Sequence, residues 1–272
     1  MVKQRQVEEW TKSTIAGLEV THIKSTPVES LTDFIRRNQG HLAAIPNRDE
    51  SIAKVTLGKN GVRLISRIVS QVNSKGDKLE ELFAHLVALR SSKVAGVETP
   101  VAFVKLPNNR AAIVTKVPAS RTFKEFVTDN KIGLDAKFEL AHDVMKRLAK
   151  IHAHGIRIGD ATVKNLQVYS ATVNGKSKNV PLILGFSKLS SGEYAAEHLA
   201  EFQKLSKQLN SELEAAYSLH TNLSVDKKTN IQRELQKTYE TAFSKQKNAL
   251  EKMYGRAPPG KLDVLKMTFT MD

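Results

Sequence analysis

Residues 151–168, IHAHGIRIGDATVKNLQV, read as the end of an amphipathic helix, a turn through Gly155, an acidic loop and a short strand. Gly159 precedes Asp160, Asn165 follows five residues later, and Leu166-Gln167-Val168 leaves as a strand. Asp and Asn both bond their own backbone in turns, so plain turn chemistry competes with a chemical role for the pair. The elements on either side weigh between the two.

Upstream, residues 134–152 carry Phe138, Ala141, Met145, Leu148 and Ile151 on one helical face, which delivers the chain to the loop. His152 and His154 end that helix, where imidazolium would complement the helix dipole, a structural role. Thr122 and Glu125 have the spacing of a capping box and open a shorter helix through Phe126. Before it, VAFVKL (101–106) and AAIVTKV (111–117) flank a turn at Pro107-Asn108-Asn109-Arg110 and read as a hairpin. Asp77 to Arg90 is an amphipathic helix with Leu79, Leu82, Phe83, Leu86 and Leu89 on its apolar face. Glu80 lies at the border of that face, and with Asp77 it also has capping-box spacing. HLAAIP (41–46), SIAKVTL (51–57) and VRLISRIVS (62–70) read as strands, the last two joined through Asn60-Gly61, a hairpin signal. Residues 1–35 read as an ill-defined extension, partly helical around Val7 to Leu18, then a short amphipathic piece, SLTDFIRR.

Downstream, a polar turn is expected over ATVNGKSKN (171–179), followed by the apolar strand of VPLILGFSKL (180–189). Helices are expected from Ala195 to about Leu219, with Leu199, Phe202, Leu205 and Leu209 on one face, and from Ser224 to Tyr254. Gly255 would end the second, and Pro258-Pro259 prevents its return.

On these residues the chain resembles the protein-kinase-like phosphotransferases, above all the aminoglycoside, lipopolysaccharide and small atypical kinase type. The match is Ile158-Gly159-Asp160 with Asn165 kept, Ile158 standing where that family usually has His. The resemblance implies an α+β, two-lobed kinase-like fold, a small antiparallel β-sheet lobe with one helix followed by a mainly helical large lobe. The corresponding boundaries are 1–39 for the extension, 40–117 for the small lobe, 118–255 for the large lobe and 256–272 for a tail. It implies a nucleotide held between the lobes, with ATP and Mg²⁺ as cofactors of an active form. Asp160 would orient an acceptor hydroxyl and Asn165 would hold metal. Arg67 or Lys54, paired with Glu80, would contact phosphates, and Val117 and Ala119 would line the hinge at the adenine. Without the resemblance, Arg67 reads as an exposed strand cation.

The chain also departs from the family. No glycine-rich cover joins the first strands, where Pro46-Asn47-Arg48-Asp49-Glu50 stands instead. Gly185-Phe186-Ser187 occupies the place of Asp-Phe-Gly, and glycine offers no side-chain oxygen to a hard cation. Loss of that carboxylate argues for weak or no transfer, hence for a pseudokinase scaffold whose C-terminal helices dock a protein partner.

Composition sets the outer bounds. The 272 residues are 40% hydrophobic, enough for a real core, and no cysteine is present, which excludes disulfides and thiolate zinc sites. No apolar run reaches the length of a membrane span, so a cytoplasmic protein is expected. The net charge of +14 favours anionic partners, and the alternative function is a basic, non-enzymatic protein binding nucleic acid or another polyanion. Its basic residues are spread along the whole chain, as on a solvated surface.

Overall fold

The computed structural model describes residues 10–37, 51–57, 62–69, 83–84, 86–87, 89–90, 94, 96–97, 99–107, 110–159, 161–173, 175–184, 190–191, 195–218 and 225–254. They divide into two compact units, the second of which takes in Val94–Val97 as well as everything from Ser120 onward.

The first unit is a six-stranded antiparallel sheet with helices. Its strands are β1 (Trp10–Ile15), β2 (Leu18–Ile23), β3 (Ser51–Leu57), β4 (Val62–Val69), β5 (Thr99–Leu106) and β6 (Arg110–Val117), in the order β1-β2-β5-β6-β4-β3. The β3–β4 and β5–β6 hairpins are present, with Lys54 opposite Ile65 and Arg67 opposite Ile52. Where a helix was expected near Val7 to Leu18, the chain instead makes the β1–β2 hairpin. WTKSTI and LEVTHI are rich in Thr, Ile and Val, which suit a pleated surface better than a helix. The turn is only Ala16-Gly17, both at positive φ (52° and 79°), so the familiar Asn-Gly signature is absent.

The helix expected in SLTDFIRR is α1 (Val28–Arg37), which buries Leu31, Phe34 and Ile35. These three pack in one cluster with Val20, Ala102, Val104, Leu106, Ala112 and Val114. Alternation puts Phe103 on the other face of β5, where it meets Phe83 at 5.4 Å between ring centroids; Phe83 meets Trp10 edge-on at 4.9 Å. Phe83 belongs to a helix (α2) seen at the described positions between 83 and 90. Leu86 and Leu89 of its expected apolar face are buried, at 1% and 0% exposure.

The second unit is mainly helical. It contains β7 (Arg121–Thr122), α3 (Phe123–Thr128), α4 (Leu134–Ala153), β8 (Ile156–Arg157), a 3-10 turn (Val163–Asn165), β9 (Leu166–Val173), β10 (Lys176–Ile183), β11 (Ser190–Ser191), α5 (Ala195–Ser218) and α6 (Val225–Tyr254). The capping box is as expected: Glu125 N donates to Thr122 Oγ1 at 3.1 Å, and Thr122 N donates to Glu125 at 2.7 Å. Ala141, Met145, Leu148 and Ile151 of α4 are buried as their spacing required.

Two expectations change here. The polar turn expected over 171–179 is largely the β9–β10 hairpin, in which Lys178 pairs with Ala171 and Val180 with Tyr169. Its strands read as polar because one side faces solvent, with Ser170, Thr172 and Ser177 exposed. Leu199, expected on the buried face of α5, is 51% exposed, whereas Phe202, Leu205 and Leu209 are buried.

Behind the hairpin, Ile183 N donates to Gly96 O at 2.8 Å. Gly96 has φ +81°, and a Cβ there would meet Pro181 O at 2.6 Å and the Arg147 guanidinium closer still. Only glycine fits at that position.

Candidate functional site

The loop after α4 is built by backbone geometry and then gripped from outside. His154 N bonds Lys150 O at 3.3 Å and Ile151 O at 3.1 Å, and Gly155 N bonds His152 O at 2.9 Å, which closes the helix; Gly155 follows at φ +69°. Ile156–Arg157 then pairs with β11, and Gly159 turns the chain at φ +84°. Ile158 is fully buried, so at the place of the family's His it acts as a core side chain.

Three polar residues on one face of α5 meet this loop. Glu201 accepts through Oε2 from Ile158 N at 3.1 Å and through Oε1 from Gly159 N. Gln208 accepts from Val163 N at 2.9 Å, and His198 donates to the Ile156 carbonyl. At 100° per residue, positions 198, 201 and 208 lie within a single arc with Leu205. Arg157 Nε lies 3.4 Å from Glu201 Oε1 and adds a cation to the carboxylate. One helix face thus fixes the loop backbone at four points.

Behind Glu201 stands a second polar layer. His152 Nε2 lies 3.0 Å from Glu201 Oε2, and His152 Nδ1 lies 2.7 Å from the Tyr239 hydroxyl on α6. The His198 ring stacks on His152, with centroids 4.3 Å apart and planes at 13°. Burial pushes the Glu201 carboxyl upward, but His152 and the amides of Gly159 and Ile158 outweigh it and hold it below the usual carboxylate range. Burial lowers His152, with Glu201 opposing only in part, so the ring is neutral at pH 7. His154 falls to about 4 by burial, and His198 to about 4 by burial and by its neighbour His152. The helix-dipole reading of His152 and His154 is therefore corrected: burial disfavours imidazolium at both the buried His152 and the half-buried His154.

Asn165 ends the 3-10 turn, half-buried, with its N–H on Thr162 O at 3.0 Å. Its carbonyl accepts from Leu184 N at 2.8 Å. The loop's Asn is thereby tied to the residue that immediately precedes Gly185. Asp160, Glu80, Gly185, Phe186 and Ser187 lie outside the described residues. Lys54 and Arg67 are placed on the backbones of β3 and β4, Val117 ends β6, and Ala119 is exposed.

Sequence reasoning singled out Asn165 and passed over Glu201, His198, Gln208 and Tyr239. One signal was available: His198 and Glu201 lie in or beside the apolar arc of α5 defined by Phe202, Leu205 and Leu209. Buried polar groups in such an arc need partners, and their partners lie 42 to 49 residues away in the chain.

A bound Mg²⁺ would need hard oxygen donors. Asn165 supplies one amide oxygen, Gly185 supplies none, and among the described residues no group of three His, Asp or Glu side chains is placed to hold a metal. No helix among the described residues is long and apolar enough to cross a membrane.

No family model matches the chain, and no curated protein matches it in sequence. Among solved structures it is similar to WaaP in complex with acyl carrier protein, at 14% identity and a TM-score of 0.42 over 81% of this chain and 96% of that one. It is also similar to a divergent Toxoplasma kinase, described as lacking the glycine-rich loop and regulating membrane ultrastructure of the parasitophorous vacuole. There the identity is 11% and the TM-score 0.47, over 88% of this chain and 94% of that one. At these scores the likeness gives no residue a role. In its own order of elements the chain is α+β, an antiparallel β unit with helices and then a helical unit that contains a helix, a gripped loop and a strand hairpin.

Proposed function

We propose that the chain is a divergent, kinase-like nucleotide-binding protein of pseudokinase type, with phosphoryl transfer weak or lost. The bond from Leu184 N to Asn165 O carries this reading, because it sets the Asn of the loop beside the strand that leads into Gly185-Phe186-Ser187. Those two segments flank the phosphates in the kinase template, and here one keeps its polar side chain while the other has lost its carboxylate. Asn165 would meet the phosphate end, Asp160 an acceptor hydroxyl, and Arg67 or Lys54 with Glu80 the remaining phosphate charge. Val117 and Ala119 would lie at the base. With Gly185 unable to hold a cation, binding that does not depend on Mg²⁺ is expected. A cytosolic setting suits this reading.

Thermal-shift titration with ATP and ADP, each with and without Mg²⁺, tests it. Ligand at 100 times its Kd stabilises a folded protein by about 2.7 kcal/mol, so the melting point should rise by several degrees without Mg²⁺. Asn165→Ala should reduce the rise. A rise that requires Mg²⁺ would restore an active phosphotransferase. Equal stabilisation by any polyanion, abolished by salt, would favour the basic nucleic-acid-binding alternative.

A further inference from the structure

The Tyr239–His152–Glu201 chain runs from the C-terminal helix α6, through the end of α4, to the carboxylate on α5 that grips the loop. We propose that Tyr239 is a positioning residue for the loop backbone at Ile158 and Gly159: its hydroxyl donates to His152 Nδ1 and so holds the ring in the orientation whose Nε2–H meets Glu201. The functional weight of the loop rests on the nucleotide reading above; the positioning does not.

The order of protons follows from the acceptors. Glu201, as a carboxylate, can only accept, and it already takes the Ile158 and Gly159 amides. At 3.0 Å from Glu201 Oε2, His152 Nε2 must therefore carry hydrogen. A neutral imidazole has one N–H, so Nδ1 is bare, and the Tyr239 hydroxyl at 2.7 Å must donate to it. For the neutral ring, each link has a single arrangement that satisfies every group. Tyr239 is held for the task by Phe202 at 4.5 Å between ring centroids and by the edge of His152 at 5.7 Å. His198 and Arg157 complete the surroundings. His198 stacks flat on His152, and Arg157 lies on the other carboxylate oxygen, where it does not compete for Nε2.

Removing the hydroxyl alone leaves the packing and frees the ring. With Phe at 239, Nδ1 becomes a buried acceptor with no donor, and the ring can tilt out of line with the carboxylate. Glu201 would then be held less firmly by His152, and the loop amides would open more often.

The test is nitrogen-detected NMR of ¹⁵N-histidine protein together with amide hydrogen exchange, on the wild type and on Tyr239→Phe. The wild type should show His152 as one neutral Nε2–H tautomer at pH 7. In Tyr239→Phe the Nε2–H tautomer should persist with Nδ1 shifted to the resonance of a ring nitrogen without a donor, and exchange at Ile158 and Gly159 should speed about tenfold, the order of one lost hydrogen bond, with Leu148 in the middle of α4 unchanged. An Nδ1–H or doubly protonated His152 in the wild type would overturn the proposal. So would a Tyr239→Phe protein with wild-type exchange at the loop, or with exchange raised evenly through the unit. If Tyr239→Phe does not fold, the wild-type Nδ1 resonance decides: a value showing no donor on Nδ1 would overturn the proposal. Absence of nucleotide binding would remove the proposed function and leave this result standing.

Discussion

The two units are held together by different physics. The first closes on twelve apolar residues, among them Phe34, Leu31, Val104 and Val114, with one buried imidazole, His22, beside them. The second places a carboxylate, two imidazoles and a phenol at its centre, where Glu201, His152, His198 and Tyr239 meet. Apolar packing tolerates imperfect partners and responds to volume. A buried polar network is high in stakes: stabilising when every group is paired, costly when one is removed. The polar centre lies directly behind the loop, so the second unit spends its specificity where backbone geometry has to be fixed.

This difference predicts different responses to mutation, separable by probe. The single tryptophan, Trp10, lies in the first unit against Phe83, so its fluorescence follows that unit. Far-UV circular dichroism is dominated by α4, α5 and α6 of the second. Phe34→Ala should have the largest effect, a loss of about 3–5 kcal/mol from the first unit. Denaturation followed by Trp10 fluorescence should show it, with the same loss at pH 5 and pH 7.

Glu201→Ala should cost the second unit about 3 kcal/mol, since it strands two amides and the Nε2–H of a buried ring. The circular-dichroism midpoint should fall while the Trp10 midpoint holds. An equal fall in both would show the units to be one cooperative body.

Acid should then distinguish the units without mutation. Glu201, His152, His154 and His198 all have folded values below their ordinary ones. A depressed group contributes stability that is present above its unfolded pKa and is lost as pH falls toward the folded value. For His154 and His198 that window runs from 6.5 down to about 4. Stability of the second unit should decline through it by up to about 3 kcal/mol for each ring, while the first unit, packed mainly on apolar side chains, changes less. Parallel decline of both signals would count against the contrast.

The smallest effect is at the hairpin. Ala16 occupies the left-handed region at φ 52°, which costs an L-residue roughly 1 kcal/mol. Ala16→Asn should recover part of that and raise the Trp10 midpoint by a degree or two.

What could be read from sequence follows the range of the interaction. Thr122 and Glu125 lie three residues apart, Lys54 and Arg67 are on strands joined by a short turn, and the α4 stripe repeats within one helix; each was legible. The β1–β2 hairpin was missed because Ala16-Gly17 carries no turn signature, although Thr, Ile and Val in both strands pointed to it. Glu201 was missed for another reason. Its partners His152, Ile158 and Gly159 lie more than forty residues back, and only folding brings them together. In the candidate site, the turn that carries Asn165 could be placed because its signals are local. The support of that loop, which makes it a site at all, is long-range.

The most direct measurement is amide hydrogen exchange with and without saturating ATP in the absence of Mg²⁺. The account predicts slowed exchange concentrated in residues 158–168 and at Leu184, with α6 beyond Tyr239 unaffected. No change at any amide, at nucleotide concentrations above the millimolar range, would contradict it.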